Sequence, residues 1–141
     1  MTTRLFLLIA FVSAIGLCTN AATADSPSSA PYAYVTKVPQ SAANDPAAPQ
    51  IYEIDVNSQQ LITPGPLSIR VLTSPNASTV YVHVEGQTFT LPRVDSGRFE
   101  LASNLPALPP ELKGRNYTFE VEAVTPDARH THADIPISVA P

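Results

Sequence analysis

The sequence predicts an all-β domain, an antiparallel sandwich or barrel of about seven short strands, behind a leader and a structureless tail. Three observations carry this. Apolar residues recur with period 2 in one short segment after another from Ile51 onward, the pattern of strands with one buried face. Gly, Pro, Asn, Asp and Ser separate those segments at the points where the chain must turn. After the leader, no stretch sustains the apolar period of about 3.6 residues that a helix needs.

The leader comes first. MTTRLFLLIAFVSAIGLCTNAATA places Arg4 ahead of an apolar run from Leu5 to Leu17, and Ala22-Thr23-Ala24 follows. Basic, apolar and small-residue segments in that order form a secretory signal peptide, so residues 1–24 are expected to be removed on export. The apolar run is shorter than the ~20 residues that span a bilayer, and no transmembrane segment is expected in the mature chain. Cys18 is the only cysteine and leaves with the leader. Bulky Leu17 stands where a bacterial lipid-attachment site has a small residue. The mature chain then has neither thiolate nor disulfide chemistry. The expected location is secreted or periplasmic.

Residues 25–49, DSPSSAPYAYVTKVPQSAANDPAAP, are Ala, Ser, Pro and polar residues. Such a stretch buries too little apolar surface to offset the entropy of ordering it, and it reads as a tail or linker. YAYV, Tyr32 to Val35, is its one apolar piece, able to add a strand to a sheet edge.

The domain is expected over residues 50–141. IYEIDV is a first strand. GPLSIRVL turns Leu67, Ile69 and Val71 to one face, and Ser74-Pro75-Asn76 ends it. TVYVHVEG places Val80, Val82 and Val84 inward, with Tyr81, His83 and Glu85 outward. TFTLPRV follows the Glu85-Gly86 turn, and RFEL follows Asp95-Ser96-Gly97. The longest loop is expected from Ala102 to Arg115. YTFEVEAV puts Tyr117, Phe119, Val121 and Ala123 inward and Glu120 and Glu122 outward. A last strand ends with Ile135, Ile137 and Val139 inward.

Several function classes are excluded. The net charge is −4, no basic run exists and tryptophan is absent, which argues against nucleic acid and against anionic lipid. No Gly-x-Ser-x-Gly elbow, cysteine nucleophile or Gly-rich phosphate loop is present. Asp95, Glu100 and Glu111 sit beside turns, where carboxylates solvate or cap. No catalytic residue and no cofactor is therefore expected, and the chain does not read as an enzyme.

The stretch Leu112-Lys113-Gly114-Arg115-Asn116-Tyr117-Thr118-Phe119-Glu120-Val121-Glu122-Ala123 resembles a recurring piece of immunoglobulin-like and fibronectin-III-like domains of exported bacterial proteins. The resemblance implies an Ig-like antiparallel β-sandwich with Tyr117 as the tyrosine corner opening strand F. Phe119 stands where antibody domains carry their second cysteine, so a disulfide-free module is implied. The function it implies is non-catalytic interaction with an envelope protein or glycan. Loops at the ends of such sandwiches usually carry binding, which makes Leu105 and Leu108 the candidate contacts if they are exposed; the stronger expectation is that they plug the open end of the sandwich.

A narrower similarity is to CopC-type periplasmic copper-carrier domains, through Gly114, Tyr117 and Asp127-Ala128-Arg129-His130. Those domains have Asp-Gly-His where this chain has Asp127-Ala128-Arg129-His130. The alternative function implied is carriage of copper or zinc. In DARHTHAD, residues 127–134, His130, His132 and Asp134 alternate and share one strand face. Inward faces must pair with inward faces, so Glu122 and Glu120 join them on the outside. Same-face neighbours lie about 6.8 Å apart along a strand, close enough for His-x-His to converge on one ion. The expectation is nevertheless a solvated strand face without a tight metal site. His83 is expected at the opposite end of the sheet. The leader makes the first testable statement: N-terminal sequencing of exported protein should begin at Asp25, and a lipid-bearing start at Cys18 would refute it.

Overall fold

The structure, a computed structural model, describes residues 32–40 and 45–141. The leader expected over 1–24, and the tail stretches 25–31 and 41–44, lie outside the described residues. The strands are β1 (Tyr34–Lys37), β2 (Ile51–Val56), β3 (Gln60–Leu61), β4 (Gly65–Thr73) and β5 (Thr79–Val84). They continue as β6 (Gln87–Leu91), β7 (Arg93–Asp95), β8 (Arg98–Leu105), β9 (Asn116–Val124) and β10 (His130–Val139). One 3₁₀ turn, Pro110–Leu112, is the only helical element among the described residues. None of their helices is long and apolar enough to cross a membrane.

Two five-stranded sheets face each other, in the orders β1-β2-β4-β8-β7 and β3-β10-β9-β5-β6. All pairings are antiparallel except β3 with β10. With β2, β4, β5, β7, β8, β9 and β10 as strands A, B, C, D, E, F and G, the sheets read ABED and CFG. The chain is an Ig-like β-sandwich, as the sequence predicts.

The predicted faces hold. Val80, Val82, Phe119, Val121, Ala123, Ile135, Ile137 and Val139 are buried from one sheet. Ile69, Val71 and Phe99 meet them from the other, with Phe99 fully enclosed. Such burial stabilises by roughly 1.5–3 kcal/mol for each large side chain. The Glu85-Gly86 turn joins β5 to β6 with φ of 48° and 76°. Two successive positive φ values make a two-residue hairpin whose twist matches the strands. Gly97 is required for a second reason: a Cβ there would collide with the Thr73 carbonyl.

Four features differ from the expectation. TFTLPRV is not one strand. It divides at Pro92 into β6 and β7, which belong to different sheets. Proline has no N–H to give either ladder, so the crossing falls there. RFEL extends through Leu105, which shortens the expected Ala102–Arg115 loop to residues 106–115. The short strand β3 was not foreseen.

The fourth difference concerns the tail. Tyr34–Lys37 is an edge strand paired antiparallel with β2, Tyr34 opposite Val56 and Lys37 opposite Glu53. Tyr34 and Val38 pack on the core, while Lys37 points out as a charge on an open edge. Gln40 Nε2 donates to the Ile51 carbonyl at 3.2 Å. Tyr32 lays its ring 4.7 Å from the Arg70 guanidinium. Composition alone argues for a structureless stretch, but alternation over a few residues suffices once a sheet edge offers backbone partners. A chain starting at Ala48 should therefore melt at least about 5 °C lower than the full chain, since ~1 kcal/mol moves a domain of this size by about 4–8 °C. An unchanged melting temperature would show that β1 adds nothing to stability.

Candidate functional site

Two places on the sandwich carry the residues singled out in the sequence. The first lies between the sheets at the end reached by the Pro-rich loop. A cavity of about 240 Å³ opens there, lined among others by Leu67, Phe89, Leu105, Leu108, Tyr117 and Phe119. Leu105 and Leu108 are half-buried and form part of this lining, closer to plugs of the sandwich end than to exposed contacts. The reason is that β8 runs on to Leu105 and carries the loop back over the inter-sheet space. Tyr117 anchors that loop: its hydroxyl donates to the Leu112 carbonyl at 2.7 Å. This is the tyrosine-corner hydrogen bond that the resemblance implied.

The second place is the outer face of the β10-β9-β5-β6 sheet. Register sets His132 opposite Glu122 and Asp134 opposite Glu120 on one side of β9. On its other side, His83 pairs with Glu120 and Tyr81 with Glu122. All three histidines of the chain collect here. His130 Nδ1 lies 2.9 Å from Glu122 Oε1, and His83 Nε2 lies 2.9 Å from Glu122 Oε2. His132 places Nδ1 3.2 Å from Glu120 Oε1 and Nε2 3.8 Å from Glu122 Oε1. The rings of His130 and His132 meet edge-on at 5.1 Å between centroids.

His83 is thus not at the opposite end of the sheet. Strand β5 is short, and its residues Thr79–His83 pair with the Glu120–Val124 half of β9. Its end therefore lies level with the middle of β10, and His83 reaches diagonally to Glu122. Thr88, its partner across the β5–β6 hairpin, places Oγ1 2.8 Å from His83 Nδ1. The outward parity of His83 was legible in the sequence; the length of its strand was not. One ligand atom each of Glu122, His130 and His132 lies within 4.8 Å of the others, a group that does not include Asp134.

No family model matches the chain, and neither does any curated protein. Solved structures do. A DUF4785 family protein from Legionella pneumophila superposes with a TM-score of 0.50 at 16% identity over 62% of this chain. The chain spans only 28% of that protein's length. A carbohydrate acetylesterase from Xanthomonas citri gives 0.41 at 18% identity, over 57% of this chain and 16% of its own. Murine CRIg gives 0.36 at 16% identity, over 65% of this chain and 96% of its own. At these identities the likeness concerns fold alone.

Hydrogen bonds from His83 and, next, His130 hold the Glu122 carboxyl below the usual carboxylate range. A carboxylate whose pKa falls on folding stabilises fully above its unfolded pKa, and that contribution is lost as pH drops through the folded value. The denaturation midpoint should therefore fall between about pH 6 and about pH 3, and Glu122→Gln should fall less over the same range. Parallel slopes for the two proteins would show that Glu122 is not responsible.

Proposed function

We propose that the chain is an exported, non-catalytic Ig-like binding module of the cell envelope that holds an apolar side chain of a partner protein. The observation that carries this reading is the cavity of about 240 Å³ at the loop end of the sandwich. A cavity of roughly 150 Å³ lined by aliphatic and aromatic groups already holds benzene, so the space here suits a larger ring or a branched aliphatic group. Its lining favours a protein over a glycan. Sugars need hydrogen-bonding groups, and the polar side chains around this opening are few, chiefly Glu85, Gln87, Ser103 and Asn104. The leader pattern in residues 1–24 supports export. Lack of a nucleophile motif or phosphate loop in the sequence supports a binding role over a catalytic one.

Nuclear magnetic resonance of the ¹⁵N-labelled protein tests the reading. Short peptides bearing one phenylalanine or leucine should shift amides of Phe89, Leu105, Leu108 and Tyr117, and oligosaccharides should not. Leu108→Ser should weaken peptide binding at least about 10-fold, the equivalent of ~1.4 kcal/mol of lost apolar contact. Its melting temperature should stay within a few degrees, because Leu108 sits in the loop. Shifts with oligosaccharides alone, or shifts mapping elsewhere, would overturn the proposal.

A further inference from the structure

We propose that Glu122, His130 and His132 form a binding site for a divalent transition metal, zinc or copper(II), with His83 and Glu120 holding the ligands in place. The site goes beyond the apolar-end reading and lies on the opposite side of the sheet from the cavity.

The donor set comes first. Two imidazoles and one carboxylate suit borderline ions such as zinc and copper(II), and suit magnesium or calcium poorly. Three protein ligands with a fourth position left to water is a common zinc arrangement. Here side-chain exposures of 60% for His130 and 45% for His132 leave that fourth position open to solvent.

Geometry comes second. Around a tetrahedral ion with bonds of about 2.0–2.1 Å, neighbouring donors sit roughly 3.3–3.4 Å apart. Glu122 Oε1 is 2.9 Å from His130 Nδ1 and 3.8 Å from His132 Nε2, values that bracket this spacing. All three donors lie within 4.8 Å of one another, and side-chain rotations about fixed backbones would have to draw them to that spacing. Strand pairing fixes those backbones, because His132 and Glu122 are direct cross-strand partners.

Support around the ligands comes third, and it separates this cluster from a chance gathering of polar side chains. A metal-binding imidazole generally donates its other N–H to a carboxylate or carbonyl, which fixes tautomer and ring orientation. His132 does this: Nδ1 faces Glu120 Oε1 at 3.2 Å, which leaves the Nε2 lone pair directed toward Glu122. Glu122 is restrained in turn. Its Oε2 accepts from His83 Nε2, while His83 Nδ1 accepts from the Thr88 hydroxyl. One neutral tautomer of His83 satisfies both bonds; Oε1 faces His130 Nδ1 at 2.9 Å, and an ion would take the place of the proton between them. All of this support comes from strands paired into one sheet, not from loops.

Calorimetric titration of the full chain with zinc and with copper(II) near neutral pH tests the site. One-to-one saturation in the micromolar range or tighter is expected. His130→Ala with His132→Ala should abolish it, and His83→Ala should weaken it about 10- to 100-fold. No saturable binding up to millimolar metal would overturn the proposal. So would binding that survives in the double variant, since the metal would then sit elsewhere, on Cys18 for example. Should the double variant fail to fold, the histidine ring resonances of the unaltered chain decide: zinc must move those of His130 and His132, and unmoved rings refute the site.

Discussion

The register of β9 between its two neighbours is the constraint on which the rest depends. β9 pairs with β10 on one side and β5 on the other. Its alternate residues Phe119, Val121 and Ala123 enter the core, while Glu120 and Glu122 face outward. A slip of one residue would drive both carboxylates into an apolar interior and expel Phe119, a change far too unfavourable to compete. The same register therefore fixes the core, turns inward the tyrosine that anchors the loop, and gathers the histidines. None of these three features is specified independently of the others.

Much of this was legible in the sequence because it depends on parity. Outward Glu120 and Glu122 had to share a face with His130 and His132 once inward faces were paired. Tyr117 declared the loop anchor by its place at the start of an alternating strand. What could not be read depends on lengths and long-range placement. His83 joins the cluster only because β5 stops short, and a hairpin's register says nothing about that. The length of β8 was not legible either: it runs four residues past RFEL, through Ala102, Ser103 and Asn104, which carry little apolar pattern. Tyr34–Lys37 looked like linker because its strand is stabilised by the edge of β2, a partner that local composition does not contain.

The two candidate places share strands but not residues. Val82 and Phe119 line the cavity, while His83 and Glu120, next to them in sequence, stand on the outer face. Adjacent residues of a strand point to opposite sides. A ligand between the sheets and an ion outside them would thus be separated by one backbone layer. Coupling between sites needs an element with two arrangements that each site biases differently. A strand hydrogen-bonded on both sides offers no second arrangement, so occupancy of one place should leave the other unaffected.

The outer face of the other sheet carries a contrasting cluster. There Arg70 Nε donates to Asp55 Oδ2 at 2.7 Å, across β4 and β2. Tyr32 covers the guanidinium, and the Asp55 side chain has no solvent exposure. This too is a cross-strand cluster of charged groups. Its chemistry is closed, however. Arginine has no lone pair to give a metal and does not lose its proton near neutral pH, and Asp55 is sealed from approaching ligands. The Asp55–Arg70 pair can hold β2 and β4 together, with Tyr32 laid over the guanidinium, and do little else. The histidine cluster uses the same pairing geometry with imidazoles in place of arginine. Imidazoles carry a lone pair at neutral pH, and His130 and His132 remain 60% and 45% exposed. Equivalent register on two sheets thus yields a fastening on one and an accessible set of ligands on the other, and the difference lies in residue type and solvent access.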